Sequence, residues 1–344
     1  YTLTFNGTTT GFSVGPLSGN AGDVVFNGSG GGWDMSTFGA QDFTITNGTV
    51  ALQGGTLSVN GDFTNNGTFT NPGGVLEIDK ATYDISNATF DSIALSVAGQ
   101  ETSPRDMLFN NDGTILYVLG ADGDDINAYP LNTAYDIGSG TSSPSTIALS
   151  VAVQETNPTA MLFNDDGTIL YVMGVAGQDI NAYPLPTPYD ISSYTSGTSI
   201  ALSVAGEETA PLDMLFNDDG TILYVMGSTG DDINAYPLDT AYDISSYTSG
   251  TSIALSIGGQ EITPTDMLFN DDGTILYVMG SAGDDINAYP LNTAYDIGSG
   301  TSSPSTIALS VAGQETGPTA MLFNQSGTIL YVMGSAGDDI NAYP

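Results

Sequence analysis

From Ile93 onward the chain is written in short apolar runs with polar punctuation between them at regular intervals. In the copy that opens at Ile200, Ile200-Ala201-Leu202-Ser203-Val204 alternates apolar and small residues, the period of a half-buried strand. A polar loop ending in Pro211 leads to Met214-Leu215-Phe216-Asn217, which Asp218-Asp219-Gly220 turns into a hairpin. The next run, T-I-L-Y-V-M over 221–226, is rich in the branched and aromatic residues that suit strands. After a loop at 227–230 comes Asp231-Asp232-Ile233-Asn234-Ala235-Tyr236, closed by Pro237, and Tyr242-Asp243-Ile244 leads on to the next I-A-L-S. No run has a 3.6-residue period, so each unit predicts four short antiparallel strands.

The unit recurs five times. Its Met falls at Met107, Met161, Met214, Met267 and Met321, about 53 residues apart, and a strand-built period near that length is the signature of propeller blades. The I-A-L-S run starts at Ile93, Ile147, Ile200, Ile253 and Ile307, and D-I-N-A-Y-P ends at Pro130, Pro184, Pro237, Pro290 and Pro344. The last unit therefore lacks a fourth strand, and residues 93–97 are expected to supply it, leaving no free sheet edge. The fold predicted is all-β: a five-bladed β-propeller of four-stranded antiparallel blades over 81–344. A longer natural chain with six or seven blades is the other reading.

Residues 1–80 follow a different grammar, with Asn6-Gly7, Asn27-Gly28, Asn47-Gly48 and Asn66-Gly67 spaced by about one coil of a parallel solenoid. Asn-Gly also makes ordinary hairpin turns, so a small β-solenoid or a β-sandwich is expected, serving assembly or anchoring. The phrase over 57–69 resembles coils of secreted bacterial adhesins. Trp33, the only Trp, fits core packing in this unit.

The hairpin F-N-D-D-G-T-I-L-Y-V resembles the F-S-P-D-G-x-x-L-Y-V hairpin of bacterial YVTN/lactonase-like propellers, over about 83–344. That resemblance implies the propeller fold and a family spanning surface-layer proteins and lactonase-like enzymes. Asn-Asp stands where the family often has Ser-Pro, and the His of many of its enzymes is missing.

Composition narrows the chemistry. With no His and no Cys, Ser-His-Asp and Cys-His catalysis, disulfides and thiolate or imidazole metal sites are all excluded. Only Lys80 and Arg105 oppose 39 acidic residues, for a net charge of −37. That balance argues against nucleic acid and anionic membranes, and no apolar run is long enough to span a bilayer. The Gly/Ser/Thr/Asn-rich, acidic surface suits salty or calcium-rich water, so an extracellular, cell-surface or virion location is expected. The chain opens at Tyr1 without Met, which fits a removed leader, a trimmed precursor or an excerpt of a longer protein.

The loops before the innermost strand and between the second and third strands share one face of a propeller. They carry Glu101, Glu155, Glu208, Glu261 and Glu315, with the pairs Asp124/Asp125, Asp231/Asp232, Asp284/Asp285 and Asp338/Asp339, and Asp179 alone in the second copy. Carboxylates gathered without cations invite a hard ion, and calcium is the candidate metal at these residues. A plain turn-capping role accounts for the Asp pairs as well. Asp106, Asp213 and Asp266 precede the inner-strand Met, where Ala160 and Ala320 stand in the other copies. Tyr117, Tyr171, Tyr224, Tyr277 and Tyr331 recur once per blade, as do Tyr129, Tyr183, Tyr236, Tyr289 and Tyr343, suited either to packing between blades or to stacking on sugars.

Near-identical blades make a poor frame for one asymmetric catalytic centre. The function expected is therefore a non-catalytic exported surface protein: a structural or adhesive part of a surface layer, filament or virion spike, associating with itself or with its neighbours. A multivalent carbohydrate-binding propeller is the alternative. A calcium-dependent lactonase-like hydrolase, or a glycosidase using two carboxylates, is the remote one.

Overall fold

A computed structural model describes residues 2–14, 24–40, 43–59, 63–78, 83–141, 148–194, 200–247, 254–301, 303–304, 308–335 and 337–344. The chain divides into two compact units, Tyr1–Thr82 and Tyr83–Pro344.

The first unit is a solenoid and not a sandwich, because successive coils pair in parallel. Leu3–Phe5, Val24–Met35, Phe43–Leu52 and Phe63–Asn65 form one sheet, and Phe38–Ala40, Thr56–Val59 and Val75–Ile78 form a second. The repeated Asn-Gly lets one coil lie tightly on the next. Gly48 has φ +98°, and a Cβ there would meet the Gly28 carbonyl oxygen at 2.7 Å. Asn47 Nδ2 donates to Asn27 Oδ1 at 3.0 Å, one coil away. Inside, Phe5, Phe26, Phe43 and Phe63 follow one another at ring separations of 4.7, 5.3 and 5.6 Å, and buried Trp33 packs on Phe26. This stack gives a small unit a continuous apolar spine.

The second unit is a ring of five four-stranded antiparallel blades. The first blade runs Pro104–Phe109, Ile115–Gly120, Asp125–Pro130 and Ala148–Ser150 from the inside outward, and the other blades repeat it. In the fifth, Ala94–Ser96 pairs antiparallel with Asp339–Tyr343, Leu95 opposite Ile340, so the expected closing strand is present. Ile147, Ile253 and Ile307 lie outside the described residues. The second strands are continuous apolar runs because each blade is covered on both faces. Between the first two blades, Leu119 and Ile126 of one meet Met161, Leu170 and Val172 of the next.

Tyrosine closes the ring a second time. Tyr135, Tyr189, Tyr242 and Tyr295, in the links after each third strand, adopt left-handed backbone conformations (φ +59° to +60°). Their rings cover the hairpin glycines, where a Cβ would meet them at 2.3–2.4 Å. Each of their carbonyls accepts the hydroxyl of a strand Tyr from the preceding blade: Tyr117 bonds Tyr189, Tyr171 bonds Tyr242, Tyr224 bonds Tyr295 and Tyr331 bonds Tyr135. Tyr277 completes the set by bonding the Tyr83 carbonyl, and the Tyr83 ring lies over Gly327 of the last blade. All ten recurrent strand Tyr are buried, at most 4% exposed. They hold blades together and are not available to stack on a sugar, because their rings face neighbouring blades.

Candidate functional site

Blade-top carboxylates and the axial ring both gather acidic groups, and the two differ in what satisfies them. At the blade tops the acids predicted from the sequence divide into three roles. Each Glu of the set is at most 1% exposed and reaches across to the loop between the second and third strands. Glu155 Oε1 accepts the N–H of Asn157 (2.9 Å) and Ala176 (3.1 Å), and its Oε2 accepts that of Gly177 (3.1 Å). Glu101, Glu208 and Glu261 are held in the same way. The glycine ending each second strand makes room for this carboxyl: a Cβ on Gly227 would lie 1.9 Å from Glu208 Cδ.

The first Asp of each pair serves backbone geometry: Asp124, Asp231, Asp284 and Asp338 have φ +48° to +51°, as does Gln178 (φ +52°) in the second copy. Asn and Asp tolerate that region best among residues other than Gly. The second Asp (Asp125, Asp179, Asp232, Asp285 and Asp339) accepts the amide of the Asn two residues on, at 2.8–3.0 Å. Burial pushes the Glu101 and Glu261 carboxyls up, against the pull of their N–H donors.

Three sets of buried oxygens at the blade tops stay without a hydrogen-bond partner among the described residues. They are Oε2 of Glu101, Glu208 and Glu261, Oδ1 of Asp124, Asp284 and Asp338, and the hydroxyls of Tyr129, Tyr183, Tyr236, Tyr289 and Tyr343. Burial raises the Tyr129 hydroxyl to about 12, with Glu101 and Asp125 adding to the rise. Among the described residues no group of three or more acidic side chains is arranged to hold a metal ion.

At the ring axis the blades stop being alike. Each inner strand carries a β-bulge at its second residue, a device that re-aims a side chain. The bulged residues are Arg105, Thr159, Leu212, Thr265 and Thr319, and the next residues inward are Asp106, Ala160, Asp213, Asp266 and Ala320. The three Asp are buried and each fastens two blades together. Asp106 accepts the N–H of its own Met107 (2.7 Å) and of Met161 in the next blade (2.6 Å). Asp213 accepts from Met267 (2.8 Å), while Asp266 accepts from Met267 (2.7 Å) and from Met321.

The Asp213 and Asp266 carboxyls feel one another, and the charge of Asp213 holds the Asp266 proton on. Burial raises all three. Asp213 is pushed up to about 6, and Asp106 and Asp266 go well above the usual carboxylate range, with the Asp213 charge adding to each. Asp213 and Asp266 are thus two interacting carboxyls that burial keeps from ionising together.

The sequence matches no family model and no curated protein. Solved structures do match. A protein assigned as a 6-phosphogluconolactonase from Bacteroides fragilis is 17% identical over 60% of this chain and 55% of its own, with a TM-score of 0.41. A periplasmic gluconolactonase from Pseudomonas aeruginosa is 13% identical over 70% and 65%, TM-score 0.39. A calcium structure of a family AA12 carbohydrate-active enzyme from Trichoderma reesei is 13% identical over 76% and 97%, TM-score 0.47.

The likeness is one of fold. The chain spans 55–62% of the length of the first three solved structures it matches.

The expectation of a non-catalytic surface-layer, filament or virion component is corrected here, and with it the exclusion of an enzyme. Structures sharing the fold are named as lactonases. The premise behind that exclusion, that the blades are too alike to frame an asymmetric centre, also fails at the axis. Two inner rings read Arg/Thr/Leu/Thr/Thr and Asp/Ala/Asp/Asp/Ala. The five-fold alternation of Asp and Ala was visible in the sequence. That the Asp side chains converge was not, because it needs the ring closed.

Proposed function

We propose that the propeller is a hydrolase of the lactonase type, with acid–base chemistry at the axial carboxyls. The observation that carries this reading is the group of three buried inner-strand carboxyls, Asp106, Asp213 and Asp266, each bonded to the neighbouring blade and present in only three of the five blades. Asp213, ionised above about pH 6, takes a proton from the water that attacks the ester carbonyl. Asp266, whose carboxyl burial and the Asp213 charge hold well above the usual carboxylate range, delivers a proton to the ring oxygen as the C–O bond breaks, and the product is a hydroxy acid. A chain without His or Cys has no strong nucleophile, so a cyclic ester, whose ring strain already favours opening, suits its equipment. The reading rests on the carboxyls and not on the names of similar structures.

The test is turnover of a panel of five- and six-membered lactones by the full chain. Asp266→Asn and Asp213→Asn should each lower kcat by about a hundredfold or more, the ordinary worth of a positioned acid or base. The pH profile should rise near 6 and fall at higher pH. Variants as active as the parent, or no turnover of any lactone, would end the proposal.

Calcium is proposed at the blade tops as a structural ion, supported by the partnerless oxygens of Glu101, Asp124 and Tyr129 and their counterparts. An unfolding midpoint that does not move between calcium and chelator would remove it.

A further inference from the structure

Four blades take all their strands from one stretch of chain. The fifth is completed by Ala94–Ser96, which meets Asp339–Tyr343 through hydrogen bonds alone. The turn that leaves this clasp carries Glu101. Val97 N donates to the Asp338 carbonyl (2.9 Å) and Glu101 N to the Val97 carbonyl (3.0 Å). Glu101 and Asp338, from opposite ends of the propeller unit, are thus tied to the same residue.

The strand register gathers oxygens beside that turn. The Glu101 carboxyl lies over Gly120, where a Cβ would fall 1.6 Å from Oε2. Gly120 pairs with Asp125, and paired positions on one face stand about 5 Å apart. Strand alternation puts Asn127 and Tyr129 on that face too. Tyr129 shares an apolar cluster with Leu95, Val97, Ile340 and Ala342 of the closing blade. It is fully buried, its hydroxyl has no partner among the described residues, and the charges of Glu101 and Asp125 both reach it. Glu101 Oε2 and Asp338 Oδ1 are likewise buried without a partner.

The next two seams fill the corresponding gap with protein groups. Between the first and second blades, both oxygens of Glu155 accept backbone N–H groups, from Asn157, Ala176 and Gly177. Between the second and third, Gln178 stands at the position of Asp338, and its amide donates to the Thr209 carbonyl at 2.9 Å, next to Glu208. A side chain at this position therefore reaches the turn that carries the Glu of the following blade. At the clasp Glu101 keeps an open oxygen, and a carboxylate replaces the bridging amide. The charges that act on Glu101 are those of Asp122 and Asp125, all of one sign. Their repulsion favours opening, and a hard cation reverses it.

We infer that a calcium ion binds at the clasp, held by Glu101, Asp125 and Asp338 with the Tyr129 hydroxyl as a neutral ligand, and that it locks the ring shut. The inference rests on the calcium reading above and adds one site and what that site controls. Oxygens drawn from a turn, a strand and the far end of the unit make an irregular shell, which calcium accepts and the strict octahedron of magnesium does not. An ion held from both ends of the unit has to leave before Ala94–Ser96 can peel away.

Hydrogen exchange read by mass spectrometry on the full chain tests this, in chelator, calcium chloride and magnesium chloride. It compares residues 93–101 with residues 151–155, where Glu155 is already satisfied. With calcium at about ten times its Kd, exchange at 93–101 should slow about tenfold, because the opened state releases the ion. Residues 151–155 should change little, and magnesium should do less than calcium. Glu101→Gln should abolish the effect at 93–101. Tyr129→Phe, which removes one oxygen and keeps the ring, should weaken it while leaving exchange in chelator near that of the parent. Equal slowing of both segments, or slowing at 93–101 that survives both variants, overturns the inference, and an unfolding midpoint that still rises with calcium then leaves the structural-ion reading standing. No effect of calcium on exchange or on the midpoint removes both.

Discussion

Replacing Tyr171 with Phe should cost far more stability than replacing Tyr183 with Phe, although both rings are buried in the same blade. The two changes remove one oxygen each and leave the packing alone. Phe216 keeps its edge-on contacts to residues 171 and 242, at ring separations of 5.2 and 5.1 Å. The Tyr171 hydroxyl donates to the Tyr242 carbonyl across the blade boundary, so its removal strands a backbone acceptor in a part-buried seam. A stranded buried acceptor costs about 1–3 kcal/mol. The Tyr183 hydroxyl has no partner among the described residues, so Tyr183→Phe removes only an unsatisfied group and should fall within about 0.5 kcal/mol of the parent.

Urea unfolding in chelator, with the slope unchanged, measures both. Equal losses for the two variants in chelator, or a neutral Tyr171→Phe, would refute the assignment of ring closure to the tyrosine bonds.

Alkali should unfold the propeller early. Burial raises its Tyr hydroxyls, Tyr289 and Tyr343 to about 12, so the fold favours their protonated form. That stability is complete below pH 10 and lost as pH climbs toward 12, visible as a falling urea midpoint. The axial Asp carry the same sign at lower pH. With Asp213 raised to about 6, its contribution is full below pH 4 and lost through pH 6, so the midpoint should rise from pH 8 to pH 5.5 and rise less in Asp213→Asn. Gly227→Ala drives a Cβ into the Glu208 carboxyl and should cost about 1–3 kcal/mol, part of it recovered on adding Glu208→Ala. A double-mutant cycle with no coupling would place that Glu elsewhere.

Much of the propeller was legible because its signals are local. The D-D-G turn, the apolar second strand and the missing fourth strand of the last unit lie within one repeat, and they lead to Ala94–Ser96 as the closing strand. The first eighty residues were ambiguous between solenoid and sandwich because Asn-Gly serves either. Only the parallel register, with Phe43 opposite Phe63, separates the two.

The blade-top acids were located on one face, but not their division into loop-clamping Glu, left-handed Asp and Asn-paired Asp, because the Glu partners lie about twenty residues away across a strand pair and the left-handed turn of the first Asp shows only in the folded loop. Tyr83 was overlooked as the fifth link residue. The signal was present: Tyr83-Asp84-Ile85-Ser86 repeats the Y-D-I-S that follows later blades. The axial group was the hardest to see, since its members are contributed by three separate blades and meet only after the ring has shut.

The clasp between Ala94–Ser96 and Asp339–Tyr343 uses the same pairing as every interior blade. Leu95 faces Ile340 just as Leu149 faces Ile126 and Leu255 faces Ile233. By sequence, therefore, the ring's own latch is indistinguishable from the latch of a neighbouring molecule. Monomeric closure depends on tethering, which keeps the local concentration of the chain's own strand high. Refolding when dilute should return single rings. Refolding when crowded should give open chains latched head to tail, a failure mode of repeat proteins. How many blades make a ring is set here by proximity during folding and not by any residue that counts to five.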